Sequence, residues 1–122
     1  MRWLIPLSMF VFCSVEAFGK EIDFELKKAE LEVRARELDL SLAQVLLKKA
    51  VIISTIAQVK NDRVHELVEK KLAKEEVLVE AHRAMDLAVV NQMIAAVHVN
   101  QAQIGLEQAK LELAAIRARR KP

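Results

Sequence analysis

The chain has 122 residues, 53% hydrophobic and only 4% aromatic, and its 19 basic and 17 acidic side chains leave a formal charge of +2. Charges of both signs are interspersed, which offers nucleic acid no clustered basic face. So few aromatics exclude a base-stacking platform or an aromatic-lined ligand pocket.

Residues 1–17 read as an export signal. Met1-Arg2 gives the positive start, "WLIPLSMFVFCSV" the apolar core, and Val15-Glu16-Ala17 a small-residue cleavage pattern with the cut after Ala17. The apolar run from Trp3 to Val15 falls short of the roughly 17–25 residues a spanning helix needs. No later stretch avoids polar residues for that length. Cys13 follows Phe12 where a lipidation signal calls for a small residue, so it reads as part of the leader. Residues 18–122 then hold no cysteine, and a fold in an oxidising compartment must rest on packing alone.

From Lys20 to Arg119 nothing breaks a helix: there is no proline, the one glycine is Gly105, and Ala, Leu, Glu, Lys, Gln and Arg dominate. Phe24, Leu31, Leu38, Val45, Ile52 and Val59 recur every seven residues, as do Leu78, Met85, Gln92, Val99, Leu106 and Leu113. Such a repeat keeps each set on one helix face. Three residues after each member of the second set stand Ala81, Ala88, Ala95, Ala102, Ala109 and Ile116. This alanine ladder is the side on which a neighbouring helix can approach closely.

The two most apolar stretches, "VLLKKAVIISTIAQV" and "MDLAVVNQMIAAVHV", are equidistant from a point near residue 72. A turn there lets them face each other, pairing Leu31 with Leu113, Val45 with Val99 and Ile52 with Gln92. Asn61-Asp62 is the better turn dipeptide locally, but it would set "VIISTIAQ" against the charged "ELVEKKLAKEE". The expected fold is all-α: a long antiparallel two-helix coiled-coil hairpin over residues 18–122, with helix 1 at about 20–70, a tip at about 71–74 and helix 2 at about 74–119. Acids at Glu21, Asp23 and Glu25 open the first helix and Arg117, Arg119, Arg120 and Lys121 close the second, as the helix dipole favours.

"NDRVHELVEKKLAKEEVLVEAHRAMDLA" followed by "QAQIGLEQAKLELAAIRAR" resembles the α-helical hairpin of the periplasmic adaptor, or membrane-fusion, proteins of efflux pumps and type I secretion systems. The resemblance covers nearly all of residues 18–122. It implies tip docking on an outer-membrane channel, for which Arg63 and Leu67 match the first two family positions. The third, a serine or threonine, is replaced by Lys74 or Ala73, and the usual tip glycine by Lys71. The family's hairpin is set in a lipoyl-like domain followed by β-barrel and membrane-proximal domains, whereas this sequence ends at "IRARRKP". The resemblance is therefore to the hairpin alone, and a truncated adaptor remnant is the reading beside it.

The histidines His65, His82 and His98 lie 17 and 16 residues apart, which places no two on one helical turn for a metal. Glu66, Glu69, Glu75, Glu76 and Glu80, and Lys48, Lys49, Lys70, Lys71 and Lys74, read as solvated faces. Gln92 is the polar member of an apolar ladder, and such a residue commonly fixes register. No nucleophile elbow or glycine-rich phosphate loop occurs.

The expectation is an exported, non-catalytic structural or interaction module that uses no cofactor, metal or small-molecule substrate. It would be periplasmic, or secreted where there is no outer membrane. Its partner would be a second copy or a helical protein of the cell envelope. The alternative is a peripheral membrane-surface binder held weakly by "RARRK", at about 1 kcal/mol per basic residue near an anionic leaflet.

Overall fold

The structure, a computed structural model, describes the backbone of residues 5–120 and the side chains of residues 20–120. The Ala17 cleavage site and the leader's side chains lie outside those described, as do Lys121 and Pro122. Two helices make up the fold: α1 (Ile5–Glu69) and α2 (Glu75–Arg120). They form an all-α hairpin. Helix α1 runs through Asn61-Asp62, and the chain reverses in the five residues that follow Glu69. Two compact units divide the hairpin: α1 up to Glu37 with α2 from Gly105, and Leu38–Ile104.

The reversal has a defined chemistry. The Leu72 N–H donates to the Leu67 carbonyl at 2.8 Å and the Lys71 N–H to the Val68 carbonyl at 3.0 Å. This double closure satisfies carbonyls that the end of α1 would leave unpaired. It requires the intervening residue to be left-handed, and Lys71 has φ 60°. A β-carbon makes that conformation costly, which is why glycine usually occupies it. Helix α2 then opens with the Val77 N–H donating to the Lys74 carbonyl at 3.1 Å. Glu75 and Glu76 in its first turn and Arg117, Arg119 and Arg120 in its last complement its dipole.

The inner face of α2 carries Leu78, Met85, Gln92, Val99, Leu106 and Leu113 (position a) with Ala81, Ala88, Ala95, Ala102 and Ala109 (position d), all buried or half-buried. Ala81, Ala88 and Ala109 are only 4–6% exposed. The inner face of α1 is not the expected one. Phe24, Leu31, Leu38, Val45, Ile52 and Val59 are 55–72% exposed. In their place Leu26, Val33, Leu40, Leu47, Ser54 and Asn61 turn inward at position a, with Ala29, Ala43, Ala50 and Ala57 three residues later at position d. The expected pairing of Gln92 with Ile52 fails with the rest of that ladder. The physical reason is the flank: three residues after Phe24, Leu31, Val45 and Val59 stand Lys27, Arg34, Lys48 and Asp62, whose charges cannot enter a seam without desolvation. Burying the ladder with alanines beside it costs no charge and lets the helix axes approach.

Within the first unit the seam is interrupted at Arg36, an exposed position d residue. Its guanidinium lies over Gly105, with Cδ and Nη1 at 3.7 Å from where a β-carbon would stand. Arg36 Nε also donates to Glu32 Oε1 at 3.0 Å on the same helix. The later apolar stretch, although it does not avoid polar residues, is long enough to meet a spanning criterion. By length and composition, the Lys20–Glu69 part of α1 contains one such window, of which 11% is buried. Lys48 and Lys49 interrupt its apolar run without outweighing the Leu, Val and Ile residues around them.

Two substitutions test this architecture. Lys71→Gly removes the left-handed strain and should raise stability by about 0.5–1 kcal/mol in urea denaturation; a lower midpoint would contradict the turn described. Ala88→Leu overpacks the seam and should cost about 1–3 kcal/mol. A melting temperature unchanged from the parent would put Ala88 on the outside.

Candidate functional site

Each helix has a second apolar stripe, on its outside. Along α1, Leu38, Leu42, Val45, Ile52, Ile56 and Val59 follow the same alternation of four and three residues as the seam, broken only by Lys49. Leu87, Val90, Ile94, Val97 and Ile104 do the same on α2, broken by Gln101. All of these apolar side chains are exposed. The stripe occupies heptad positions f and c, about 160° around the helix from the a/d seam at about 100° per residue. A helix that packs on one partner normally carries polar residues there. From Leu40 to Val59 the only charges are Lys48 and Lys49, and from Leu87 to Ile104 there are none among Asp, Glu, Lys and Arg. Contiguous exposed apolar surface of this extent is uncommon on a monomeric protein.

In the unit containing the turn, a groove is lined by Asn61 and His65 of α1 and by Leu78, Val79, His82 and Arg83 of α2. His65 Nδ1 lies 3.4 Å from Glu69 Oε1, and His82 Nε2 lies 3.6 Å from Asp86 Oδ2. Each histidine thus meets the carboxylate one turn on along its own helix. At the groove's floor the buried Oδ1 of Asn61 has no hydrogen-bond partner. Asn61 is a polar residue at position a, and sequence reasoning passed over it because it followed the wrong face of α1. Ser54, 7% exposed, is the other polar position a residue of that helix and was missed for the same reason. Among the described residues no group of three His, Cys, Asp or Glu could hold a metal ion.

Arg63 and Leu67 lie on the last two turns of α1. Arg63 is exposed and Leu67 is at the border of exposure, with its carbonyl engaged by Leu72 in the turn. Lys74 is exposed just ahead of α2, and Ala73 is half-buried. In the other unit the arginines of the C-terminal cluster meet acids of α1: Arg117 Nη2 to Glu30 Oε1 at 3.7 Å, Arg119 Nη2 to Glu25 Oε2 at 4.0 Å, and Arg120 Nη2 to Asp23 Oδ1 at 3.0 Å. All six side chains are about half exposed, so each pair is worth well under the strength of a buried one, about 0–1 kcal/mol. The cluster is therefore engaged within the hairpin, which weakens its value as an anchor for anionic lipid.

Comparison with protein-family models, with curated proteins and with solved structures finds no match for this chain.

Leaving a buried acceptor unpaired costs about 1–3 kcal/mol. Asn61→Leu, which keeps the seam position and removes the amide, should therefore raise stability by about that amount in thermal or urea unfolding. A loss of stability would mean that Asn61 has a partner.

Proposed function

We propose that this chain is an exported, non-catalytic module that acts by presenting helical surfaces to other helices in the cell envelope. The observation that carries this reading is the outer stripe: large apolar residues in heptad register on the side of each helix that the hairpin leaves uncovered. A catalytic site would need polar groups enclosed in an environment that perturbs them. Here the polar clusters stand in exposed grooves, and His65 and His82 each stand beside a carboxylate of their own helix. The resemblance of residues 61–88 and 101–119 to the hairpins of periplasmic adaptor proteins supports the same class of role. The departures at Lys71 and Lys74 count against channel docking through Arg63 and Leu67, and a remnant of a longer adaptor would share the hairpin without that task.

The membrane-surface reading has one observation in its favour, the window within Lys20–Glu69. Against it stand Gln101 within the stripe on α2 and Asn91, His98 and Asn100 beside it, all exposed. Burying such groups in hydrocarbon without partners is costly.

Expression in a two-membrane host followed by fractionation and N-terminal sequencing tests the export step, which should yield a periplasmic chain beginning at Phe18. Photo-crosslinking from Ile56 and Ile94 in the intact envelope tests the interaction step and should trap discrete protein adducts. Lipid adducts alone, with liposome binding that falls as salt rises, would replace this reading with the surface binder.

A further inference from the structure

We infer that the partner is a second copy of this chain, packed face to face on the side of the hairpin that carries Leu42, Leu46, Ile53 and Ile56 of α1 and Leu87 and Ile94 of α2. This deepens the interaction reading above and rests on it. The inference begins from how the two sides of the hairpin differ. His65 and His82 both occupy heptad position e and line one groove. In an antiparallel pair, position e of one helix lies beside position e of the other, so positions g, and the c positions next to them, share the opposite side. The six residues named above stand at g or c and are 47–62% exposed. On the histidine side of the same stretch the α1 positions are Gln44, Lys48, Val51, Thr55 and Gln58, a mostly polar set. On α1 this side is therefore the apolar one, and on α2 it offers Leu87 and Ile94 at c beside Asn91 and His98 at g; a single partner can cover both strips.

On α1, adding Leu46 and Ile53 at position g to positions a and d gives the three-in-seven apolar face that helices of four-helix bundles present to their core; on α2, Leu87 and Ile94 at position c widen the seam on the same side. The area fits a pair of chains. The strip runs from Leu42 to Leu67 on α1, about 37 Å at about 1.5 Å per residue, and two helices side by side are about 20 Å across. That comes to roughly 700 Å², close to the about 800 Å² per partner of a standard interface.

Charge selects the orientation. On this side α1 carries Lys49, Lys60 and Arg63, and α2 carries Glu80. With the twofold axis along the helices and both turns at the same end, α1 lies over α2 of the other copy. Lys60 and Arg63 then face Glu80, and Lys49 faces the stretch of α2 that has no charge. With the copies reversed end to end, α1 lies over α1 and Lys49 approaches its own equivalent in a desolvated core, an arrangement that like charges oppose. The dimer is thus an alternating up-and-down four-helix bundle, with the ridge at Val45, Ile52 and Val97 along its outer edges.

Sedimentation equilibrium of the purified exported chain tests this. The parent should be a dimer at micromolar concentration. The pair Leu46→Glu with Ile53→Glu should give a monomer of unchanged helical circular dichroism, while Val51→Glu with Met93→Glu on the histidine side should remain dimeric. Arg63→Glu should weaken the dimer by about two- to fivefold, the size of a rim ion pair, and adding Glu80→Arg should restore it. A dimer lost through Ile52→Glu with Val97→Glu and kept in the Leu46/Ile53 variant would overturn the face and leave the interaction reading intact. A monomeric parent that binds a hydrophobic dye would do the same. A monomeric parent that binds neither dye nor vesicles would overturn both.

Discussion

The hairpin depends on how closely its two helices can approach. Along α2 the position d residues are alanines through four heptads, and along α1 Ala29, Ala43, Ala50 and Ala57 hold the same position. A methyl group at the seam lets the helix axes approach closely, since side-chain size sets the separation of packed helices. Larger residues at position a, such as Leu47, Met85 and Val99, then lie between them. The cost of this arrangement is a thin core. No large side chain among the described residues is fully buried, so the hydrophobic term available to a two-helix chain is small. A hairpin stabilised this modestly has reason to cover the rest of its apolar surface with something else.

The hairpin itself was legible, because helix propensity, the absence of breakers and the symmetry of the two apolar stretches about residue 72 all favoured it. The inner face of α2 was legible for a more specific reason: its apolar ladder came with alanines three residues on. The same rule applied to α1 would have chosen Leu26, Leu40 and Leu47, each followed by an alanine. It was passed over because the ladder of Phe24, Leu31 and Leu38 is longer and bulkier. Size and periodicity report only that a face is apolar. What the residue three positions on can bear when desolvated reports whether that face is inside, and Lys27, Arg34 and Lys48 answer that question against the bulkier ladder.

The turn shows the limit of local signals. Its closure needs one left-handed residue, and sequence usually announces that with glycine. Here Lys71 takes the position, so nothing in the residue type marked the place, and only the pairing of distant apolar stretches located the reversal. Asn61-Asp62, which has the chemistry of a turn, stays helical because breaking α1 there would abandon the seam on both sides of it. Tertiary packing decided between the two, and the strain at Lys71 is small beside the packing retained.

So much exposed hydrophobic surface as the outer stripe carries is an aggregation hazard. Isolated helical faces have no unpaired backbone donors to template a sheet, in contrast to a bare strand edge, so their stickiness is a matter of side chains alone. Along α1 the stripe is interrupted at its centre by Lys49, with Lys48 beside it, and any covering partner must accommodate them. Along α2 it is interrupted by Gln101 and flanked by Asn91, His98 and Asn100, whose polar groups can be satisfied by hydrogen bonds from protein but not from hydrocarbon. These residues act against lipid and against indiscriminate packing while leaving the apolar positions between them available. Specificity of that kind is built by what a surface refuses.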